Sequence, residues 1–184
     1  MKISWVFAST YKIDPIVPIE KIKDIGSTWG SWKTWRSCGT DNVICHDRTK
    51  AHELINRAFQ AVCNFYIPKK IYQDVNRPIG VKLYDGQFDL EVDDLEDIVA
   101  MHLAAASSDI ILLCGYRFAK LPIIADDYER LKTRNYHGLA RSIISNNQEV
   151  QWVAVDHDGE FDLAYESLSN LTCDTMENAI QLLV

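Results

Sequence analysis

The stretch that decides the fold runs from Asp93 to Phe118 and has the sequence DDLEDIVAMHLAAASSDIILLCGYRF. Its first half carries apolar residues at the three-and-four spacing of a helix face, and Asp93 with Glu96 forms a capping box, so a helix is predicted to begin just after Asp93. This helix must end at the polar turn SSD, because Ile110 to Cys114 is a short, continuous apolar run that is typical of a buried strand. Helix, tight turn and buried strand together make half of a βαβ unit.

The loop after this strand is the first candidate binding segment. Gly115, Tyr116 and Arg117 follow the carboxyl end of the predicted strand. Open α/β sheets bind their ligands at the carboxyl ends of the strands. We therefore expect these three residues to line a ligand site.

Strands and helices are predicted to alternate along the rest of the chain. Apolar runs and helical periodicity predict strands at Ile3–Ala8, Val43–Cys45, around Ile71, Val81–Tyr84 and Gln151–Val155, and helices at Ile19–Ile25, Arg48–Tyr66, Asp127–Ile144 and Asp174–Val184. This alternation predicts a single α/β domain over residues 1–184, built as a three-layer α/β sandwich with a mostly parallel, Rossmann-like sheet.

Charge and composition disfavour two classes of partner. The 184 residues carry a formal net charge of −7, and no Lys or Arg follows Arg141. Broad binding to nucleic acid or to a membrane surface is disfavoured, because both rely on clustered positive charge. No segment reaches the roughly 18 uninterrupted apolar residues that a membrane helix needs. The acidic carboxyl-terminal part is either a solvated surface or a face for a basic partner.

Cysteine usage indicates a reducing compartment. The five cysteines are scattered and form no CxxC pair. This pattern is typical of free thiols rather than of a disulfide framework or a zinc site. The amino terminus, MKISWVFAST, has neither the length nor the flanks of a signal peptide. A cytoplasmic location is therefore expected.

The segment GSTWGSWKTWRSCGTDN, residues 26–42, contains three of the five tryptophans at a spacing of three. This spacing would place Trp29, Trp32 and Trp35 on one side of a helical or 3₁₀ turn, or splay them from an irregular loop. Two interpretations remain open. The indoles either cap the open end of the core or form a stacking platform for a base, a nucleoside or a partner's side chain, with Arg36 supplying positive charge.

The first predicted strand ends in hydroxyl-bearing residues. Ser9 and Thr10 lie in a position where nucleotide-binding α/β proteins often hold a phosphate or ribose. Neither the dinucleotide nor the P-loop glycine fingerprint is present, so no cofactor is assigned. An ordinary strand-to-loop transition is the alternative. If the strand ends converge, they form a cleft suited to a nucleotide or nucleoside derivative, lined by Ser9, Thr10, Trp29, Trp32, Trp35, Arg36, His46, Asp47, Gly115, Tyr116 and Arg117.

Two predicted strands end in His beside Asp, at His46-Asp47 and at Asp156-His157-Asp158. If these strands are neighbours, the side chains could hold a metal or form an acid–base pair. Nothing in the sequence brings them together, so no metal site is assigned, and Asp47 also suits the N-cap of the following helix. The candidate catalytic residues are His46, Asp47 and Asp126.

Acidic residues are dense just before the central helix. Seven acids and no bases lie between Asp85 and Asp97. Carboxylates there suit the positive amino end of the helix, so most of them need no further function.

Two stretches resemble known families. The runs GSWKTWRSCGTDNVICHD and KISWVFASTYK resemble short uncharacterised accessory proteins of T4-like tailed bacteriophages. This resemblance implies a protein of the infected bacterial cytoplasm that binds a host protein in host takeover or anti-defence. The run SSDIILLCG is similar to nucleoside deoxyribosyltransferase-like and nucleotide-sensing α/β domains, although their acidic catalytic motif and glycine loop are not where they would be expected.

Three functions therefore stay open. The first is an accessory protein that binds a host protein through its acidic part or its tryptophan segment. The second is a binder of a nucleotide-type small molecule. The third is an enzyme that acts on such a ligand.

Overall fold

The computed structural model describes residues 1–9, 19–57, 63–71, 80–85, 95–116, 118, 127–157 and 161–183. The strands in these ranges are β1 (Ile3–Phe7), β2 (Ser27–Ser31), β3 (Asn42–Ile44), β4 (Asn64–Pro68), β5 (Val81–Tyr84), β6 (Ile110–Cys114), β7 (Gln151–Val155) and β8 (Leu171–Asp174). The helices are α1 (Ile19–Ile25), α2 (Trp32–Cys38), α3 (Arg48–Arg57), α4 (Leu95–Ala105), α5 (Asp127–Asn146), α6 (Leu163–Glu166) and α7 (Met176–Leu183).

All eight strands pair in parallel in one sheet, in the order β5-β4-β3-β2-β1-β6-β7-β8. The first five strands extend from β1 towards one edge, and the last three extend in the opposite direction. The direction of winding therefore reverses between β1 and β6. The predicted α/β sandwich with a mostly parallel, Rossmann-like sheet is confirmed.

Successive residues of a strand point to opposite faces of the sheet, so a buried strand has apolar side chains on both faces. Helices cover both faces. Val6 and Ile111 belong to a core shared with α4 and α5, whereas Phe7 and Leu112 belong to a core shared with α1 and α7. On that second face, Val43 belongs to a further cluster that includes part of helix α3. The clusters on the two faces join the sheet to a layer of helices on each side, which gives the three layers of the sandwich.

The central helix α4 lies across the middle of the sheet, against β1, β2 and β3, and also packs on α5. Its residues from Ile98 to Met101 are all buried. Both the helix and strand β6 therefore form where the stretch from Asp93 to Phe118 predicts them. This position carries the first turn of α4 over the carboxyl ends of the central strands.

The helix predicted over Arg48–Tyr66 is wrong in its last part. Helix α3 is described as far as Arg57, and Asn64–Pro68 is strand β4, which pairs with β3 on one side and β5 on the other. Phe65 and Tyr66 happen to continue the helical spacing of apolar residues. Long-range pairing with two neighbouring strands outweighs that local periodicity.

Smaller differences occur elsewhere. Ile71 lies in a turn after β4 rather than in a strand, and the final helix begins at Met176 rather than at Asp174. Residues 171–174 form strand β8 at the edge of the sheet, which the sequence did not predict. In the part of the chain that the structure describes, no helix combines the length and apolarity that crossing a membrane requires.

Candidate functional site

The candidate site is the carboxyl edge, the edge of the sheet where Ser9 follows β1, Trp32 follows β2, His46 follows β3 and Gly115 follows β6. At the reversal of winding, β1 and β6 are joined by a hydrogen bond of 2.9 Å from the Ala8 N–H to the Cys114 carbonyl. Gly115 has φ +77°, a conformation that glycine adopts without strain. Ser9 and Gly115, both predicted to line a ligand site, are therefore brought to the same point.

Asp97 fixes the end of β1. Its carboxylate accepts the Ser9 backbone N–H at 2.9 and 2.8 Å and the Ser9 hydroxyl at 2.6 Å. Asp97 is only 2% exposed, and a buried carboxylate needs such donors. The first turn of α4 is thus tied to the loop after β1.

The end of β2 joins the same network. Ser31 is the N-cap of α2, and its hydroxyl accepts the Thr34 backbone N–H at 3.2 Å. Ser31 Oγ also lies 3.1 Å from Ser9 Oγ. The hydroxyl of Ser9 therefore sits between the α2 cap and the α4 carboxylate.

Glu96 ties the ends of β2 and β3 to the first turn of α4, as Asp97 ties the end of β1. Its Oε1 accepts the His46 backbone N–H at 2.8 Å, and the backbone N–H of Trp32 also hydrogen-bonds the carboxyl group. Burial outweighs these bonds and raises the pKa of Glu96 from 4.5 to about 7. The side chain is nevertheless partly exposed at the carboxyl edge.

Three more titratable side chains surround Glu96. The His46 ring stacks on the Tyr84 ring with 5.8 Å between centroids, and its Nε2 is hydrogen-bonded to the Tyr84 hydroxyl. Burial, together with the charge of Lys70, lowers the pKa of His46 to about 4. Burial, with Glu96 as the next cause, raises the pKa of Cys45 to about 12 and that of Tyr84 above its usual range. Within this cluster Glu96 is the group that changes protonation near neutral pH.

The three tryptophans of the segment 26–42 neither share one side of a turn nor extend from an irregular loop, so both predicted arrangements are wrong. Trp29 lies in β2 and is 5% exposed, on the α4 face of the sheet. Trp32 and Trp35 lie in α2 and pack against the cluster on the opposite face. The spacing of three spans a strand-to-helix junction, where the direction of successive side chains changes.

Each indole has partners within the fold. Trp29 donates its Nε1–H towards the hydroxyls of Ser4 and Ser27 at 3.2 and 3.1 Å and packs on the Tyr66 ring at 5.2 Å. The Trp35 ring meets the Phe65 ring edge to face at 5.7 Å. These contacts agree with the interpretation of core capping for Trp29 and Trp35.

The Trp32 ring is covered by cations of the same chain. The Arg36 guanidinium lies 5.6 Å and the Lys50 ammonium 5.3 Å from its centroid. Arg36 therefore does meet an indole, as the platform hypothesis requires. Its partner is the ring four residues earlier in α2, and the ring face that it covers is not open to a ligand.

The two His-Asp pairs do not converge. Strands β2, β1 and β6 lie between β3 and β7, so the two strand ends are about 19 Å apart at the usual strand spacing. Asp47 caps α3, where its Oδ1 accepts the Lys50 N–H at 2.9 Å. Within the described ranges, no group of three or more His, Cys, Asp or Glu side chains is arranged to hold a metal ion.

The remaining predicted site residues have the following positions. Tyr116 is 5% exposed, and its hydroxyl donates to the Asp97 backbone carbonyl at 2.7 Å, so it supports α4 from within the core. Thr10, Arg117 and Asp126 lie outside the described residues.

Sequence reasoning missed the central roles of Glu96 and Asp97. Glu96 was interpreted as the capping-box partner of Asp93, which lies outside the described residues, and both acids as carboxylates that suit the amino end of the helix, in a run of acids with no base. The available signal was their position at the start of the helix that crosses to β6, since such a helix must begin over the carboxyl edge.

No protein-family model matches the chain, and neither a curated protein nor a solved structure is significantly similar to it.

Proposed function

We propose that the protein binds a nucleoside-type small molecule, a nucleoside or a nucleotide derivative, at the carboxyl edge of its sheet. The observation that carries the proposal is the reversal of winding between β1 and β6. Open, doubly wound α/β sheets bind ligands in the crevice at such a switch point. Ser9 and Gly115 lie at this switch point, after β1 and β6.

The polar groups at the carboxyl edge support a ligand of this class. The partly exposed side chains described there include the hydroxyl of Ser9 and the carboxyl group of Glu96. Oxygen acceptors suit the hydroxyl groups of a ribose and the N–H groups of a base. The partly buried rings of His46 and Tyr84 add apolar surface beside them.

The test is isothermal titration calorimetry of the full chain with adenosine and with cytidine at pH 6. We expect saturable binding of at least one nucleoside with a stoichiometry of one. Gly115→Ala should weaken it by about tenfold, equivalent to 1.4 kcal/mol, because a side chain at φ +77° shifts the loop that borders the crevice.

Gly39→Ala is the matched control. Gly39 also has positive φ, +66°, but it caps the carboxyl end of α2, at the opposite edge of the sheet. It should suffer comparable strain without loss of affinity. Absence of binding by every nucleoside tested, or an equal loss of affinity in both variants, would contradict the proposal.

Binding of a host protein by a phage accessory protein stays a prediction, as does catalysis. Affinity capture of the tagged chain from phage-infected bacteria, followed by mass spectrometry, tests the first. A reproducible host partner that is lost when the exposed residues Glu149, Glu166 and Glu177 are changed to Gln would support the acidic part as its contact surface.

A further inference from the structure

We propose that Glu96 recognises the base of this ligand by pairing, as a neutral carboxylic acid, with an amidine-type edge, a ring nitrogen beside an exocyclic amino group as in adenine and cytosine. The proposal rests on the proposed function and names the ligand group that this part of the site takes.

Among the described residues, the hydrogen bonds to the carboxyl group of Glu96 come from backbone N–H groups alone. Backbone N–H groups of His46 and Trp32 bond it from the loops after β3 and β2, and the side chain stays partly exposed. A protonated carboxyl has one O–H donor and further acceptor capacity. Beyond its backbone bonds, it can therefore donate to a ring nitrogen and accept from an amino group.

The surroundings of Glu96 favour its neutral form. Among the ion pairs of the described residues none includes Glu96, and the lysine that acts on it, Lys33, has an exposed side chain. Asp47 lies on the same side and repels a negative charge at Glu96. Burial of a carboxylate that forms no ion pair favours the protonated form, which is consistent with a pKa of about 7.

An amidine-type edge matches this group better than a lactam edge. The ring nitrogen of an amidine is basic and strongly accepts the proton of the acid, while the amino group returns a hydrogen bond to the carbonyl oxygen. The stacked rings of His46 and Tyr84 provide an aromatic surface next to the carboxyl group, against which a base can lie.

The spacing along the carboxyl edge fits a nucleoside. Glu96 bonds the loop after β3 and Asp97 the loop after β1, two strand spacings or about 10 Å apart. A base at Glu96 therefore leaves the sugar near Ser9, at the point where winding reverses.

The neighbouring titratable groups leave Glu96 as the group that would govern a pH dependence near neutrality. The pKa of His46 is lowered to about 4, that of Cys45 is raised to about 12 and that of Tyr84 is raised above its usual range. Among the described residues, the other charged groups that act on this cluster are Asp47 after β3, Lys33 of α2, Lys50 of α3 and Lys70 after β4.

The experiment is calorimetric titration of adenosine between pH 6 and 8.5, with purine riboside, which lacks the amino group, as the control ligand. Binding should be constant below pH 7 and weaken by about tenfold per unit well above it, because the ionised carboxyl repels the ring nitrogen lone pair. Purine riboside should bind about tenfold more weakly than adenosine at pH 6.

Variants separate recognition from a structural role of Glu96. Glu96→Ala should lose affinity by about tenfold or more, whereas Glu96→Gln, whose amide has the donor and acceptor of the neutral acid, should restore binding and remove its pH dependence. Glu149→Gln, at an exposed position at the opposite edge of the sheet, should keep the wild-type profile.

The outcomes distinguish the two proposals. Adenosine binding that does not change between pH 6 and 8.5, or that is lost in a folded Glu96→Gln protein, overturns recognition by Glu96 and leaves nucleoside binding intact. Affinity that increases with pH would show that the site instead takes a cationic group. Absence of binding by all nucleosides at pH 6 overturns both.

Discussion

The backbone N–H of His46 donates a hydrogen bond of 2.8 Å to Oε1 of Glu96, fifty positions further along the chain. This bond joins the end of β3 to the first turn of α4, so that two titratable residues meet at the carboxyl edge. Burial moves their pKa values in opposite directions, that of Glu96 up to about 7 and that of His46 down to about 4. In the folded protein the pair is therefore neutral between these values.

The first prediction concerns stability and pH. Between pH 4.5 and 6.5 the unfolded chain carries this pair as ions, with the proton on His46, whereas in the folded state the proton is on Glu96. Both states bind one proton, so the two contributions to the pH dependence of unfolding nearly cancel.

Single variants should expose each contribution. In His46→Gln the raised pKa of Glu96 remains, so the free energy of unfolding should fall by about 3 kcal/mol as the pH rises from 4.5 to 7. In Glu96→Gln the lowered pKa of His46 remains, so stability should fall by a similar amount as the pH drops from 6.5 to 4. Urea denaturation across this range measures both, and parallel profiles for the two variants would contradict the assignment.

The second prediction concerns Asp97. Replacing it with Asn removes one oxygen acceptor that holds the Ser9 N–H and hydroxyl, so the free energy of unfolding should fall by about 1.5–3 kcal/mol. Asp85→Asn is the control, because its ion pair with Lys69 is exposed and contributes at most about 1 kcal/mol. Equal losses by urea denaturation would contradict a structural role of Asp97 at the end of β1.

The third prediction separates the tryptophans. Trp29 is 5% exposed, so Trp29→Ala should lower the free energy of unfolding by about 3–5 kcal/mol. Trp32 is only partly buried, and Trp32→Ala should lose less than half of that amount. Thermal unfolding followed by circular dichroism ranks the two variants. A larger loss for Trp32 would show that its ring is part of the core.

The fourth prediction uses two glycines at which an added Cβ meets no atom within 4 Å, Gly39 and Gly138. Gly39 has φ +66° at the C-cap of α2, so Gly39→Ala should destabilise the protein by about 1 kcal/mol. Gly138 is exposed within α5, where Ala should instead stabilise by about 0.5–1 kcal/mol. Shifts in melting temperature of the same sign would contradict this assignment of the backbone.

Elements with strong local patterns were predicted correctly from the sequence. Strand β6 is a continuous apolar run followed by glycine, and α4 combines helical spacing with acids at its start. Strand β1, strand β7 and helix α1 have similarly clear patterns. The local sequence of each element is enough to predict which segments are buried. The alternation of these strands and helices predicts a parallel sheet.

Elements whose local pattern is ambiguous were missed. Strand β2, with the sequence STWGS, is mainly polar, yet four of its five residues are buried because β1 and β3 satisfy its backbone on both sides. Strand β4 continues the apolar spacing of the preceding helix and becomes a strand through pairing with β3 and β5. In both cases the deciding hydrogen bonds come from residues far away in the chain.

The candidate site also has one part that could be predicted from the sequence and one part that could not. The sequence by itself determined the fold class and identified Ser9 and Gly115 as residues at strand ends, because burial and turn formation depend on neighbouring residues. Only the tertiary structure decided that β1 and β6 are adjacent, that His46 meets Glu96 and that His46 lies far from His157. Strand order and the protonation of buried groups depend on contacts between distant segments, and local periodicity carries no information about which segments those are.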